Sequence, residues 1–297
     1  MRPAPGRSLV FTIDVITPIV DDPRTFGRIA AANSLSDVWA MGGRPEIALS
    51  FIGFPTDKLP LEALGEVLAG MNDACVRCGA AIAGGHTISD TEPKAGLAVV
   101  GSVDPARVWS QRFAREGQAL VLTKALGTGV IGQAIRAGTA SEASVTAAVE
   151  QMVALNDRAC AIGLDVGATS CTDVTGFGLL GHLTNVIEAS ALDAEIDASA
   201  VPLLEGALAL AAAGTVPGGS KRNLKRAQVI TTFAEAIDDA TRLLLADAQT
   251  SGGLLLCVPE ARAEEAVRRL HDEGSACAAV IGRLRPASVA GSRIAVR

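Results

Sequence analysis

Residues 9–54 read LVFTIDVITPIVDDPRTFGRIAAANSLSDVWAMGGRPEIALSFIGF, and the class of fold turns on this stretch. Leu9–Val20 is rich in β-branched residues and predicts a strand. Asp22 stands before Pro23, the order of an N-cap and a first helical residue, so a helix is predicted from there to Met41 with Gly42-Gly43 as its stop. Glu46–Phe54 predicts a second strand. Strand, helix and strand in succession exclude an all-α protein and place the chain in the α/β or α+β class.

The same alternation continues outward. A helix is predicted over Pro60–Cys78, ended by Gly79, with strands near Ala80–Ala83 and Gly96–Val103. Residues 104–117 lose the strand pattern and carry charge, so the domain junction falls there, with domains 1–105 and 106–297. Beyond it, strands are predicted at 119–127, Gly253–Pro259, 277–284 and 292–296. Helices are predicted after the first of these strands, over 141–163, 202–213 and 232–246, and over 260–273.

The 297 residues are 49% hydrophobic and 20% charged, with a net charge of −6. That composition fits an ordered protein and gives no basic footprint for nucleic acid. No apolar run is long enough to span a membrane, and Asp14 interrupts the first one, so a cytoplasmic protein is expected. Cys75 and Cys78 form a C-x-x-C, but they continue the helical stripe Leu61, Leu64, Leu68 and Met71. They are expected to pack as small hydrophobes.

Four places work against the local pattern and are candidate sites for that reason. Asp14 is a carboxylate in the middle of a β-branched run, where a solvent-facing edge position is the plainer explanation. On the first helix, Phe26, Ala30, Asn33 and Asp37 share one face, and no lysine or arginine lies within a turn of Asp37. In AIAGGHTISD (81–90), an apolar strand is expected to run into a turn at Gly84-Gly85, where backbone N–H groups can approach a phosphate. In CTDVTGFGLLGH (171–182), Asp173 precedes a glycine-rich helix start and has helix capping as its simpler role. VPGGSKRN (216–223) and DAQTSGGLLL (247–256) are expected to be two further glycine-bearing turns with close backbone packing. Separated aspartates and glycine turns without a histidine cluster suit Mg²⁺, which takes one or two carboxylates and completes its shell with substrate phosphates.

Taken in order, DVITPIVDDPRTFGRIAAANSLSDVWAMGGRP, AGGHTIS, LTKALGTGV, TDVTGFGLLGHL, VPGGSKRN and DAQTSGGLLL resemble the selenophosphate synthetase (selenide, water dikinase) family over nearly the whole chain. The resemblance implies a two-domain α+β fold of the aminoimidazole-ribonucleotide-synthetase type. It also implies a homodimer paired through the first domains, and conversion of ATP, selenide and water to selenophosphate, AMP and phosphate. By position it implies ATP binding by Asp14, Asp37, Gly85, His86 and Thr87, the last three reaching nucleotide across the dimer. Mg²⁺ is expected on Asp37 and Asp173, and the glycines after Asp173 are expected to let that backbone approach the first domain.

One departure concerns the start of the chain. The family carries, ahead of the strand at Leu9, a glycine-rich segment with a reactive cysteine or selenocysteine, a lysine and a further aspartate. No residue here matches them, so no catalytic nucleophile is assigned. Met1 is expected to be a start placed after a selenocysteine codon read as a stop, with selenide-dependent turnover absent or impaired. The alternatives are another ATP-using enzyme of the same superfold, such as a thiamine-monophosphate kinase, and a non-catalytic nucleotide-binding relative.

Overall fold

Asp22 acts as its place before Pro23 predicts: its side chain accepts the Thr25 N–H at 2.7 Å and opens α1, Pro23–Ala40. The chain is described here by a computed structural model covering residues 6–288 and 293–297. The expected start at Met1 and the expected strand start at residue 292 lie outside those residues. Two units emerge, Met1–Val108 with Val149–Asp157, and Trp109–Ala148 with Arg158–Arg297. Among the described residues no helix is long and apolar enough to cross a membrane.

In the first unit, β1 (Ser8–Ile16), β2 (Arg44–Phe54), β3 (Ala81–Ser89) and β4 (Lys94–Val103) form a sheet in the order β1-β4-β2-β3. β4 runs antiparallel to both neighbours, and β2 and β3 are parallel. The first strand stops at Ile16, short of the predicted Val20 and just ahead of Pro18, which cannot donate to a ladder. α1 covers one face of the sheet and packs against α2 (Leu61–Cys78). That helix crossing depends on two glycines: a Cβ on Gly27 would collide with the Val67 carbonyl, and one on Gly70 with the Arg24 carbonyl. Cys75 is buried in this packing and its thiol is pushed up to about 12 by burial, in keeping with a core role.

The turn expected at Gly84-Gly85 is instead part of β3. The strand continues through both glycines to Ser89, and the register with β2 shifts by one residue, from Ala48↔Ile82 to Ser50↔Gly85. A bulge inside an edge strand explains the glycine pair: Gly84 has φ +151, open to glycine, and a Cβ on Gly85 would meet Ser50.

The second unit has a seven-stranded sheet in the order β6-β9-β5-β10-β7-β11-β8. These strands are β5 (Ala119–Leu122), β6 (Ser170–Asp173), β7 (Leu192–Ile196), β8 (Thr231–Phe233), β9 (Leu254–Val258), β10 (Ala279–Pro286) and β11 (Ile294–Val296). Its helices are α3 (Thr128–Ala137), α4 (Glu142–Val153), α5 (Asp157–Asp165), α6 (Gly178–Ser190), α7 (Ala207–Ala212), α8 (Gly218–Ala227), α9 (Asp239–Leu245) and α10 (Glu260–Asp272), α4 running on into the segment grouped with the first unit. α6 buries Leu179, Leu180, Leu183, Val186 and Ile187 in a core with Leu120, Leu122, Leu255 and Ile281. Each such side chain contributes about 1.5–3 kcal/mol.

Other expectations change as well, among them the helix predicted over 202–213, which is confined to α7. The helix predicted over 141–163 is two helices, α4 and α5, separated at residues 154–156. The one predicted over 232–246 is β8 followed by the shorter α9. VPGGSKRN, expected as a turn, is the entry to α8, with Pro217 at the N-cap.

Candidate functional site

In the first unit, Asp14 lies on an edge strand, as its simpler explanation supposed, but its side chain is half-buried and faces α1 rather than solvent. Asn33 Nδ2 donates to Asp14 Oδ2 at 2.8 Å. One residue on, the Ser34 hydroxyl is shared between the Asp14 carbonyl at 3.0 Å and the Ala30 carbonyl at 2.9 Å, and it accepts the Leu97 N–H at 3.0 Å. This serine therefore ties α1 to β1 and β4 and sets the rotation of the helix. That rotation carries Asp37, one turn beyond Asn33, to the Thr12 hydroxyl, which donates to Asp37 Oδ2. The helical face predicted to turn polar thus meets the strand face carrying Thr12 and Asp14.

Two half-buried carboxylates are brought together in this way. Burial pushes the Asp14 carboxyl up, the negative charge of Asp37 pushes it further, and the Asn33 donor only partly opposes them. Neither aspartate has an ion-pair partner among the described residues. Two like charges so placed repel each other, and a bound cation would offset that repulsion. No group of three or more His, Cys, Asp or Glu gathers as a metal cluster among the described residues. Two carboxylates are a donor set that a hard cation completing its shell from water or phosphate can use.

The three β3 candidates are not all placed alike. Asp14, Leu97, Ser50 and Gly85 form one cross-strand row, and Ile16, Ala95, Ile52 and Thr87 form the next. Gly85 and Thr87 consequently share the sheet face of Asp14 but lie three strands away, roughly 14 Å at normal strand spacing. His86 falls on the opposite face, in the row of Val15, Gly96 and Phe51. All three are exposed, so within one chain they do not converge on Asp14 and Asp37.

In the second unit, Asp173 is the last residue of β6, 7% exposed. It is not the cap of α6: the N-cap position belongs to Phe177, with no side-chain hydrogen bond there. The residues after Asp173 are held from several directions. Val174 N–H donates to the Gly253 carbonyl at 2.8 Å, and the Thr175 carbonyl accepts the Gln249 N–H at 2.9 Å. Thr175 N–H donates to His182 Nε2 at 3.1 Å, which places the ring proton on Nδ1. Burial lowers the His182 pKa to about 4, so the ring is neutral at pH 7. The glycine that matters in this stretch is Gly178, at φ +69, where a Cβ would lie 2.6 Å from the Ala246 carbonyl carbon; the close approach is to its own unit.

Two buried charges here were not singled out from the sequence. Asp247, fully buried, accepts from Gly129 N–H at 3.0 Å, Val130 N–H at 3.2 Å, Ser220 Oγ at 2.7 Å and Gln249 Nε2 at 3.0 Å. Gln249 Oε1 accepts from the N–H groups of Gly127 and Thr128 at 3.0 and 3.2 Å, so the two side chains together cap α3. Burial still pushes Asp247 up to about 6, against those donors. Lys124, 6% exposed and two residues past β5, donates from Nζ to the Ser251 carbonyl at 2.9 Å. The sequence signal for both is a charge next to a run that the sheet buries, ALVLT before Lys124 and LLLA before Asp247.

Residues 1–103 match the family described as AIR synthase related protein, N-terminal domain, and residues 115–293 match its C-terminal domain. The selenide, water dikinase of Caldanaerobacter subterraneus subsp. tengcongensis is 46% identical over 278 residues, 94% of this chain and 80% of that protein. That of Geobacter metallireducens is 44% identical over 282 residues, 95% of this chain and 82% of its own. Among solved structures, thiamine-monophosphate kinase from Stenotrophomonas maltophilia K279a has a TM-score of 0.74 at 18% identity, over 100% of this chain and 87% of that one. A hydrogenase maturation protein HypE has a TM-score of 0.73 at 22% identity, over 96% and 84%. At those identities the two structures share the fold and nothing more specific.

Proposed function

We propose that this chain, which belongs to the selenide, water dikinase family, makes selenophosphate from ATP, selenide and water, with AMP and phosphate as the other products. Two phosphoric anhydride bonds of ATP break in that conversion; one phosphoryl group ends on selenium and the other on the oxygen of water. An identity of 46% with a dikinase, against 18% with the thiamine-monophosphate kinase, favours this reading over the other activities of the fold.

The observation that carries the site assignment is the Asp14–Asp37 pair: two half-buried carboxylates set together by α1, with Asn33 donating to the first and Thr12 to the second. We assign Asp37 to Mg²⁺ and ATP, Asp14 to ATP, and Asp173 of the second unit to Mg²⁺. Bound there, Mg²⁺ would neutralise phosphate charge as it shifts to the leaving group. The protein's own part is to orient. Ser34 fixes the helix, Asn33 and Thr12 aim the two carboxylates, and the bonds around Val174 and Thr175 hold the strand end of Asp173. A metal that arrives with phosphate ligands needs few from the protein, in accord with carboxylates and no histidine cluster.

The sheet face opposite α1 supports the homodimer. Phe11, Ile13 and Leu49 are 69%, 64% and 52% exposed there, and Val15 continues the patch. Apolar area of this kind marks an association surface, and a second copy of this face is its proposed cover. Gly85, His86 and Thr87, exposed on β3, are assigned to the nucleotide of the partner protomer, since they do not reach the carboxylates of their own. We place the protein in the cytoplasm; among the described residues no helix is long and apolar enough to cross a membrane.

Titration calorimetry with ATP and Mg²⁺ tests the site. Asp37→Asn is expected to weaken Mg²⁺-dependent ATP binding at least about tenfold while leaving the fold intact. Wild-type affinity in that variant would remove Asp37 from the site.

A further inference from the structure

We propose that Lys124 is a positioning residue for Asp173: its buried ammonium fixes the 249–253 loop, and that loop fixes the strand end carrying the carboxylate. The inference rests on the reading of Asp173 as a Mg²⁺ carboxylate given above.

A lysine that is 6% exposed requires an explanation, because an ammonium loses its hydration on burial and must recover it from specific acceptors. Lys124 directs Nζ at the Ser251 carbonyl, at 2.9 Å. A charged donor on a buried carbonyl makes a stronger bond than a neutral one. Ser251 has φ 49, a left-handed conformation that a serine keeps only when its surroundings impose it. The lysine is part of what imposes it.

The restraint passes on through backbone contacts. Gly253 lies against Lys124 itself; a Cβ there would be 2.5 Å from the Lys124 nitrogen. A Cβ on Gly252 would collide with the Val174 carbonyl, so the loop is flush with the residue after Asp173. Gly253 O accepts from Val174 N–H at 2.8 Å, and Gln249 N–H donates to Thr175 O at 2.9 Å, on either side of that contact. β5 and β6 both run antiparallel to β9, so Lys124 and Asp173 sit at the same end of three neighbouring strands. The loop between Gln249 and Gly253 is thus gripped by the lysine on one side and by residues 174–175 on the other. The bond from the ammonium to the Ser251 carbonyl thus reaches, through one short loop, the strand end that carries the carboxylate.

The test uses Mn²⁺ as the probe, titrated into the protein with ATP and followed by the loss of the free-ion EPR signal. Lys124→Met fills the same volume without the ammonium and is expected to weaken Mn²⁺·ATP binding about tenfold, the scale for residues that orient metal ligands. Asp173→Asn should weaken it as well, and the double variant should be no weaker than Asp173→Asn alone, because both changes act on one group. Gly252→Ala, which displaces the loop without altering Lys124, should reproduce the loss and keeps the test open if Lys124→Met does not fold. Wild-type binding by Lys124→Met or by Gly252→Ala, with Asp173→Asn weakened, overturns the inference and leaves the reading of Asp173 standing. Losses that add in the double variant assign Lys124 a general structural role and overturn it too. Wild-type binding by Asp173→Asn overturns the reading and the inference together.

Discussion

His182→Gln is expected to uncover a pH dependence of stability in the second unit that the wild-type protein hides. His182 is held neutral by burial, its pKa lowered from 6.5 to about 4. Between those values the unfolded chain binds the proton and the folded one does not. Its contribution is therefore present above pH 6.5 and lost as the pH falls toward 4. Asp247 is shifted the other way, from 3.8 to about 6. Here the folded state holds the proton that the unfolded state has released, so its contribution is present below pH 3.8 and lost as the pH rises through 6. At 1.36 kcal/mol per unit, each group changes stability by about 2 kcal/mol between pH 4.5 and 6.5, with opposite sign. Wild type should be nearly flat across that window.

Glutamine offers an acceptor to the Thr175 N–H without titrating, so His182→Gln should lose about 2 kcal/mol from pH 4.5 to 6.5 as Asp247 ionises. Asp247→Asn should show the reverse slope, about 2 kcal/mol gained over the same range, from a lower baseline because the donors of α3 face an amide. Urea unfolding read by Trp109 fluorescence in a Trp39→Phe background isolates this unit, since Trp109 is buried in it. The carboxylates with lowered pKa values in this unit, such as Glu195 and Glu265, lose their contribution as the pH falls below about 4.5 and stay constant within the window. A flat His182→Gln profile, or identical slopes in the two variants, would refute the compensation.

Three other outcomes are expected. Asp173→Asn should leave thermal unfolding of the second unit within a few degrees of wild type and weaken Mg²⁺-dependent ATP binding; calorimetry returning full affinity would send Asp173 back to a structural role. Gly70→Ala should cost about 3 kcal/mol in urea unfolding, the upper range for overpacking, because its Cβ meets a backbone carbonyl that cannot rotate away. Ile13→Lys, at a position 64% exposed, should shift the protein from dimer to monomer in analytical ultracentrifugation without lowering the stability of the monomer; an unchanged sedimentation coefficient would refute the apolar face as the interface.

The parts of the fold that the sequence displays are those where local chemistry and burial agree. Asp22-Pro23 caps α1 as its order suggests, the stripe through Met71 and Cys75 is core, and the polar face of Asn33 and Asp37 meets Asp14. Glycine pairs misled the reading in two places for the same reason. A glycine at φ +151 inside an edge strand and a glycine in the first turn of α8 both look like turn residues in one dimension. α8 has Leu224 as its one large apolar residue, so its periodicity is nearly silent. The break between α4 and α5 carries neither glycine nor proline. Asp247 and Lys124 were passed over because a buried charge is spelled like a surface one; only distant partners, Gly129 and Ser251, distinguish them.

The bonds that hold the end of β6 also fix the order in which the second unit becomes competent as it leaves the ribosome. Asp173 is made early, but its neighbours Val174 and Thr175 are secured by Gly253 and Gln249, some eighty residues later in the chain. Contacts of such sequence separation form late, because the intervening loop must close first. A nascent chain that has not yet released β9 therefore carries the aspartate without its frame. The phosphate chemistry proposed for this carboxylate would therefore wait until the chain through β9 has been made, whereas Asp14 and Asp37 of the first unit need no residue beyond Asp157 for their own frame.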